Sequence, residues 1–364
     1  MSIYDTCVNL DWLEVFCKED PHQPIPAAYV SSQNVKVRSR AYGTPQYREM
    51  YCVLDESNLP CLEVRRDPYV SATGAPILAP GSCHLRVSNR VLYARDYLGH
   101  LRRFVTAFNL TVCGLSRVDF ARDFNTFRYG YRPENFTRNY MECRLAKLHQ
   151  PTLAAYGKAE WGANYFNSLK WGSPASMVTT KLYDKTLELD RPGHDKPYIR
   201  EQWRAAGLDE TRHVWRVEHS VRSAGKGFVS REDGEFIPLD INHLSDRVDI
   251  LKFYKMLSDR YMDFRIVRHN RNGKLQRKDR CRRIDLENLD GARAYQPVKL
   301  SNKERAGRVD MMIVKRLSEL AEREDITPMQ RRTITNMLAV YPDLVAIRNL
   351  PQDISFFGME TTAQ

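Results

Sequence analysis

From Arg117 to Asp123 the chain reads RVDFARD, an alternation of polar and apolar residues that is typical of a half-buried β-strand. Successive side chains of a strand point to opposite faces, so Arg117, Asp119 and Asp123 lie on the same face. Val118 and Phe120 lie on the other face. The stretch therefore predicts a strand with two carboxylates on its polar face.

A second stretch, from Thr179 to Lys185, reads TTKLYDK. The same period of two places Lys181, Tyr183 and Lys185 on one face. This pattern predicts a strand on which a tyrosine is flanked by two cations.

A third stretch, from Val214 to Arg222, reads VWRVEHSVR. Arg216, Glu218, Ser220 and Arg222 share a wholly polar face, and tryptophan and valine side chains form the opposite one. One such strand alone is typical of the solvated face of an antiparallel sheet. Three of them, if they are neighbours, predict a site at which carboxylates converge beside a tyrosine.

That combination of groups suits phosphodiester chemistry. Carboxylates can hold a divalent cation through oxygen, the cation can polarise a phosphate, and the tyrosine oxygen can attack phosphorus. Lys181 and Lys185 are expected to lower the pKa of Tyr183 and to offset charge in the transition state.

Outward from these stretches, residues 7–16 predict an opening strand, and residues 45–95 predict short strands joined by turns. Apolar residues at helical spacing predict a helix after Asp96 and a second one near Phe136. Beyond residue 235 the pattern becomes helical. Ser301, followed by Glu304, predicts a capping box at the start of one helix, and Thr327–Pro328 predicts the cap and first residue of another.

The predicted fold class is α+β, with a central antiparallel sheet, helices on one face and a C-terminal α-helical module. Residues 1–235 are predicted to form a catalytic domain, and residues 236–364 a helical, basic module for DNA binding or other interactions.

Composition narrows the classes of function. The 364 residues carry a formal net charge of +11, which favours a polyanionic partner, and 42% hydrophobic content is ordinary for a folded protein. With no long apolar run and no secretion signal at the start, we expect a cytoplasmic protein, in the host cell if phage-encoded. The eight cysteines show no zinc-finger spacing and are expected to be reduced thiols.

A basic segment, residues 265–283, holds nine Arg or Lys residues and one acid, Asp279, a net charge of +8. The turn signal Asn272–Gly273 near its centre predicts a hairpin or flexible loop. A solvated charge run is the alternative, but this density favours contact with DNA phosphates. The predicted contacts are Arg268, Arg271, Lys274, Arg277, Lys278, Arg280, Arg282 and Arg283.

The spacing from Gly172 and Ser173 through Ser176 to Lys181-x-Tyr183-Asp184-Lys185 resembles a signature of the replication initiation factor family. This family includes trans-acting Rep proteins of rolling-circle plasmids and replication initiators of some filamentous phages. The stretches 115–123 and 215–218, in the same order, resemble its two carboxylate-bearing strands. The likeness covers roughly residues 6–225.

The resemblance implies a rolling-circle Rep nuclease-like fold and an enzyme that nicks one strand of an origin. It implies that the enzyme stays on the 5′ phosphate as a phosphotyrosine, leaves a 3′-OH primer and later rejoins the ends, with Mg²⁺ or Mn²⁺ as cofactor. Carried over by motif position, Tyr183 is the candidate nucleophile, and Asp119, Glu218 and Asp123 are candidate metal ligands. Arg117, Lys181 and Arg216 are expected to pair with carboxylates or phosphate. Arg117, Arg216 and Arg222 are also predicted to contact DNA.

Several alternatives stay open from the sequence. Tyr165 and Tyr156 compete with Tyr183 as nucleophile. No His-hydrophobic-His pair occurs, and His213 and His219 are interpreted as packing residues. The chain is expected to bind double- and single-stranded origin DNA, with a host helicase as a further partner and a homodimer left open. A non-catalytic origin-binding initiator and a conjugative relaxase are the alternative functions.

Overall fold

The computed structural model describes residues 7–20, 22, 36–39, 44–70, 78–94, 96–160, 163–173, 176–222, 229–232, 235–238, 241–289, 292, 294–295, 316–317, 320–321, 323 and 325–338. The strands are β1 Val8–Lys18, β2 Lys36–Ser39, β3 Tyr47–Leu54, β4 Pro60–Pro68, β5 Ser82–Val87, β6 Thr111–Phe124, β7 Leu145–Lys147, β8 Leu153–Glu160, β9 Ala163–Trp171, β10 Val178–Asp184, β11 Trp215–Arg222, β12 Val229–Glu232, β13 Glu235–Pro238, β14 Phe264–Ile266 and β15 Arg283–Ile284. The α-helices are α1 Asn89–Leu92, α2 Gly99–Ala107, α3 Pro133–Met141, α4 Lys185–Leu189, α5 Pro197–Ala205, α6 Arg247–Tyr261 and α7 Pro328–Leu338.

Ten strands form one sheet in the order β2-β3-β4-β5-β1-β6-β11-β10-β9-β8. The neighbours β1–β6, β6–β11, β11–β10 and β10–β9 all pair antiparallel. The three polar-faced stretches lie on β6, β11 and β10, which are adjacent in the sheet. The prediction that they are neighbours is therefore confirmed.

One face of the sheet is apolar and carries the core. Phe120, Leu182 and Val217 are fully buried there, as expected for residues that alternate with the polar ones. The aromatic rings of α6 cover this face, with Phe253 against Phe120 and Tyr254 against His219. These contacts make α6 a structural layer on the sheet.

The opposite face is polar, and helices reach it at one end. On α1, Asn89 donates to Asp11 in β1, and on α5, Trp203 donates to Asp123 in β6. The α+β class and the central antiparallel sheet are confirmed. Helices cover the apolar face as predicted, and α1 and α5 contact the polar face in addition.

Strand β1 contains a β-bulge between Leu10 and Trp12. Leu10 pairs with Phe120 and Trp12 pairs with Asp119, so Asp11 is an extra residue. An extra residue of this kind lets two successive side chains lie on one face of a sheet. Asp11 and Trp12 consequently both line the polar face.

The chain divides into two units, one of Met1–Ala224 with Ser230–Gln296 and one of Gly225–Val229 with Pro297–Gln364. Helix α6 and the basic segment belong to the first unit, whereas the sequence assigned residues 236–364 to a separate module. The difference arises because α6 packs on the sheet through Phe253 and Tyr254. Of the second unit, α7 is described, with its start capped by Thr327 as predicted, and Ser301 lies outside the described residues.

No helix in the described part of the chain is long and apolar enough to cross a membrane. All eight cysteines are free thiols, and six of them are buried.

Candidate active site

The register of the central strands brings the predicted site residues into two rows on the polar face. In the first row, Lys181 pairs with Glu218, and Glu218 pairs with Ala121. In the second, Tyr183 pairs with Arg216, and Arg216 pairs with Asp123. The paired residues of antiparallel strands point to the same face, so these side chains meet.

Glu218 connects the tyrosine to a cation. The Tyr183 hydroxyl donates to Glu218 Oε2 at 3.0 Å, and Lys181 Nζ donates to Glu218 Oε1 at 2.7 Å. The Glu218 side chain is only 5% exposed. Burial opposes the charged form of Lys181, but the Glu218 carboxylate outweighs it and raises the pKa of Lys181.

Lys185 begins α4 and lies beside the same tyrosine. Its Nζ is 3.5 Å from the Tyr183 hydroxyl and donates to Glu188 at 2.8 Å. The ammonium also lies 5.4 Å from the centre of the Tyr183 ring. Burial lowers the pKa of Lys185, because a low-dielectric surrounding disfavours its charge.

The pKa of Tyr183 is raised well above its usual value, whereas the sequence predicted that the two lysines lower it. Burial is the largest cause and the Glu218 carboxylate the second, while Arg216 opposes them. The prediction was wrong because Lys181 is paired with Glu218, whose charge disfavours the phenolate. The tyrosine is therefore a hydrogen-bond donor with an acceptor already in contact.

Asp119 lies next to this group on β6. Its carboxylate accepts from Arg117 Nε at 2.9 Å, and Arg117 Nε also donates to Ser220 at 3.1 Å. Burial raises the pKa of Asp119 to about 6, and the charge of Glu218 adds to the rise, although Arg117 opposes it. Asp119 and Glu218 are thus two buried carboxylates that repel each other.

Asp119 and Glu218 are the carboxylates that could serve a divalent cation as a minimal pair of ligands. A cation there would compete with Arg117 for both oxygens of Asp119 and with Lys181 and Tyr183 for those of Glu218. Mg²⁺ often binds through one or two carboxylates together with substrate phosphate and water. A cation would also relieve the repulsion that raises the pKa of Asp119. In the described ranges, no group of three or more His, Cys, Asp or Glu side chains is placed to hold a metal ion.

Asp123, the third predicted ligand, is engaged elsewhere. Both of its oxygens accept from the Arg216 guanidinium, at 2.5 and 2.7 Å, and Trp203 Nε1 donates to it at 2.7 Å. Asp123 therefore serves as the partner of a buried arginine and not as an open metal ligand.

Arg216, predicted to contact DNA, is fully buried. Besides Asp123, its guanidinium donates to Asp11 at 2.5 Å and to the Tyr93 hydroxyl at 2.9 Å. Burial opposes ionisation of Asp11, but Arg216 holds its pKa well below the usual range. A side chain enclosed in this way cannot contact DNA, so that assignment is corrected to a structural clamp between β1, β6 and β11.

The remaining predicted arginines of the central strands differ in exposure. Arg222 is exposed at the end of β11, opposite Arg117. The Arg117 guanidinium lies 4.2 Å from the Trp12 ring, and that of Arg86 lies 3.5 Å from it. Trp12 is consequently enclosed between two cations at the edge of the cleft.

Sequence reasoning missed Asp11, Trp12, Tyr93 and Trp203. The first two lie in the opening strand that the sequence predicted, but the alternation of β1 does not show that a bulge turns both toward the site. Nothing near Trp203 in the sequence signals its contact with Asp123, which lies 80 residues earlier.

The alternative nucleophiles and the histidines lie outside the group of side chains in contact with Glu218. Tyr156 on β8 and Tyr165 on β9 are 63% and 58% exposed. His219 is buried on the apolar side against Thr180 and Tyr254, which confirms its structural role. His213 lies at a strand end, where its Nδ1 is 2.7 Å from Asp184.

The basic segment forms a hairpin-like extension between β14 and β15. The predicted turn is present, with Gly273 at a φ of 72° that favours glycine. All eight predicted phosphate contacts are exposed, while Arg265 is held by Asp263. Two of the eight are paired with acids, Arg277 with Asp279 at 3.1 Å and Arg283 with Asp259 and Asp263 at 3.9 Å each.

No family model matches the chain, and no curated protein matches it. Among solved structures, the chain is similar to a rolling circle replication initiator protein from Geobacillus stearothermophilus. The two are 13% identical with a TM-score of 0.44, and the match covers 76% of this chain and 92% of the other.

Proposed function

We propose that the chain is a rolling-circle replication initiator that nicks one strand of origin DNA through Tyr183. The observation that carries the proposal is the hydrogen bond from Tyr183 to Glu218, in a cleft that also contains Asp119 and Lys181. A nucleophile in contact with a base, beside groups that stabilise phosphate charge, is the arrangement that phosphoryl transfer requires. The family resemblance of the motifs supports the same function.

The chemistry follows from these contacts. The Tyr183 oxygen attacks phosphorus, its proton passes to Glu218, and the bond from phosphorus to the 3′ oxygen breaks. The products are a 5′-phosphotyrosine and a 3′-OH, whose proton comes from solvent. Because the pKa of Tyr183 is raised, transfer of its proton to Glu218 during attack is more effective than prior ionisation. The reverse attack by a 3′-OH rejoins the strand.

Charge on the phosphate is offset by Lys181, which lines the cleft, and at longer range by the charge of Lys185, which is buried beside the tyrosine. Asp119 and Glu218 are the residues that would hold Mg²⁺ or Mn²⁺, which when bound polarises the phosphate and neutralises its charge. The exposed basic segment would hold duplex origin DNA through its phosphates. A host helicase and a second copy of the chain remain proposed partners.

The test uses a pool of random single-stranded oligonucleotides labelled at the 3′ end, incubated with the full chain and Mn²⁺. We expect a labelled band that survives denaturation, disappears on protease treatment and is absent for Tyr183→Phe. Tyr156→Phe and Tyr165→Phe are the matched controls and should retain the band.

An adduct that persists in Tyr183→Phe would reject this nucleophile. If the wild-type chain binds DNA but forms no adduct on the pool or on supercoiled plasmid, the non-catalytic alternative holds.

A further inference from the structure

The hairpin of β8 and β9 carries two exposed tyrosines on the polar face of the sheet. Tyr156 pairs with Ser168, and Ser168 pairs with Tyr183, so Tyr156 lies in the same cross-strand row as the candidate nucleophile. Paired residues of antiparallel strands share a face. Tyr156 therefore lies two strands from Tyr183, about 10 Å away at the usual strand spacing.

A second β-bulge brings Tyr165 to the same face. The register shifts between Tyr156 and Gly157, and Lys158 then pairs with Tyr165. Since Tyr156 and Lys158 are two apart on one strand, Lys158 and its partner Tyr165 lie on the face of Tyr156. We call Tyr156, Lys158 and Tyr165 the hairpin platform.

The backbone of the hairpin is adapted to this arrangement. A Cβ atom on Gly157 would lie 2.0 Å from the Tyr165 carbonyl oxygen, a distance that no side chain tolerates. Glycine thus permits the close approach of the two strands that the bulge requires. The two rings are exposed although tyrosine can bury a large apolar area, which makes the platform a surface suited to a planar ligand.

Charge continues from the platform to the cleft. Lys158 is exposed, and Lys170 on β9 pairs with Lys181 on the same face. Aromatic rings beside a row of cations are the combination that binds single-stranded nucleic acid, because bases stack on the rings while the cations follow the phosphates. Duplex DNA presents no base faces for stacking, so the pattern favours a single strand.

We propose that the hairpin platform binds unpaired bases of single-stranded DNA and directs the attached strand into the Tyr183 cleft. The inference rests on the proposed function for its ligand. Tyr156 lies about 10 Å from Tyr183 at the usual strand spacing, so the stacked bases would belong to nucleotides close to the scissile phosphate.

The test is the affinity of the full chain for a fluorescein-labelled 12-nucleotide single strand, measured by anisotropy in EDTA so that no nicking occurs. Stacking of one base contributes roughly 1–3 kcal/mol, so Tyr156→Ala or Tyr165→Ala should each weaken binding at least about fivefold. Tyr156→Phe and Tyr165→Phe should keep the affinity, because the ring remains. Tyr129→Ala, at a 90% exposed tyrosine outside the hairpin, is the matched control and should bind as the wild type does.

An oligonucleotide without bases separates stacking from charge. We expect the wild type to bind this base-free strand no more tightly than Tyr156→Ala binds the intact strand. We also expect the wild type and Tyr156→Ala to bind the base-free strand with equal affinity. Unchanged affinity of both alanine variants for the intact strand would overturn the platform. That failure would leave the Tyr183 adduct test unaffected, and loss of the adduct in Tyr183→Phe would leave the platform unaffected.

Discussion

The Tyr183 hydroxyl donates a 3.0 Å hydrogen bond to Glu218 Oε2, and the charge of this acceptor raises the pKa of the donor. The same carboxylate therefore stabilises the neutral phenol and stands ready to accept its proton. The first prediction separates these two effects.

Glu218→Gln removes the negative charge but keeps the shape of the side chain. We expect the pKa of Tyr183 to fall toward its usual value while remaining above it, because burial is the larger cause of its rise. The measurement is the ultraviolet absorbance of tyrosinate during alkaline titration, with Tyr183→Phe in each background to isolate this residue. Adduct formation should decrease at the same time, since amide cannot accept the proton. Unchanged adduct formation would exclude Glu218 as the base.

Asp119→Asn tests the proposed cation site. Loss of one of two carboxylates should raise the Mn²⁺ concentration needed for half-maximal adduct formation at least about tenfold, and EDTA should abolish the adduct in both proteins. Asp190→Asn, at an exposed carboxylate outside the cleft, is the control. An equal Mn²⁺ requirement in Asp119→Asn and the wild type would contradict a role for Asp119 as ligand.

The burial of His219 predicts that the free energy of unfolding decreases in acid. Burial lowers its pKa to about 3 from the usual 6.5, so the unfolded chain binds one proton more than the folded chain between these values. The stability that the protein gains from a neutral His219 is therefore fully present above pH 6.5. Below pH 6.5 the free energy of unfolding falls by up to about 1.4 kcal/mol per pH unit. Urea unfolding between pH 4.5 and 7.5 should give a shallower pH slope for His219→Gln. His213→Gln, at a half-exposed ring, serves as the comparison.

Arg216→Met tests the buried clamp. The change leaves Asp123 and Asp11 without their cation in a buried place, and we expect the free energy of unfolding to fall by about 3–5 kcal/mol. Arg222→Met, on the same strand but exposed, should change it by no more than about 0.5 kcal/mol. Equal effects in urea unfolding would show that the clamp is not structural.

The charge of the basic segment predicts that the affinity for duplex DNA depends on salt concentration. Neutralising Arg271, Lys274 and Lys278 to Gln should weaken binding to duplexes of any sequence. It should also reduce the slope of log affinity against log salt by up to about 2.7, or 0.9 for each lost phosphate contact. The control neutralises exposed arginines elsewhere, Arg102, Arg103 and Arg212. A slope that changes equally in both triple variants would locate the contact outside the segment.

The sequence was sufficient to predict the central strands, because alternation over seven to nine residues is a local property. It predicted that Lys181, Tyr183 and Glu218 share a face, and the register confirms this. It could not predict the contact of Trp203 with Asp123, which depends on tertiary packing.

Two further predictions, the pKa of Tyr183 and the domain boundary near residue 235, were wrong because they also depend on tertiary packing. The pKa of Tyr183 depends on burial and on which partner Lys181 takes, and neither is visible in the spacing of residues. The boundary near 235 was inferred from a change to helical periodicity. That periodicity shows that α6 has an apolar face but not that the face packs on β1, β6 and β11.

The bulge at Asp11 determines which side chains of β1 face the core and which face the cleft. Leu10 and Leu13 are both buried, yet they are an odd number of residues apart, which an unbroken strand would place on opposite faces. Removing one residue here would exchange inside for outside along half of the strand. The length of this strand is therefore as strictly constrained as the identity of its side chains.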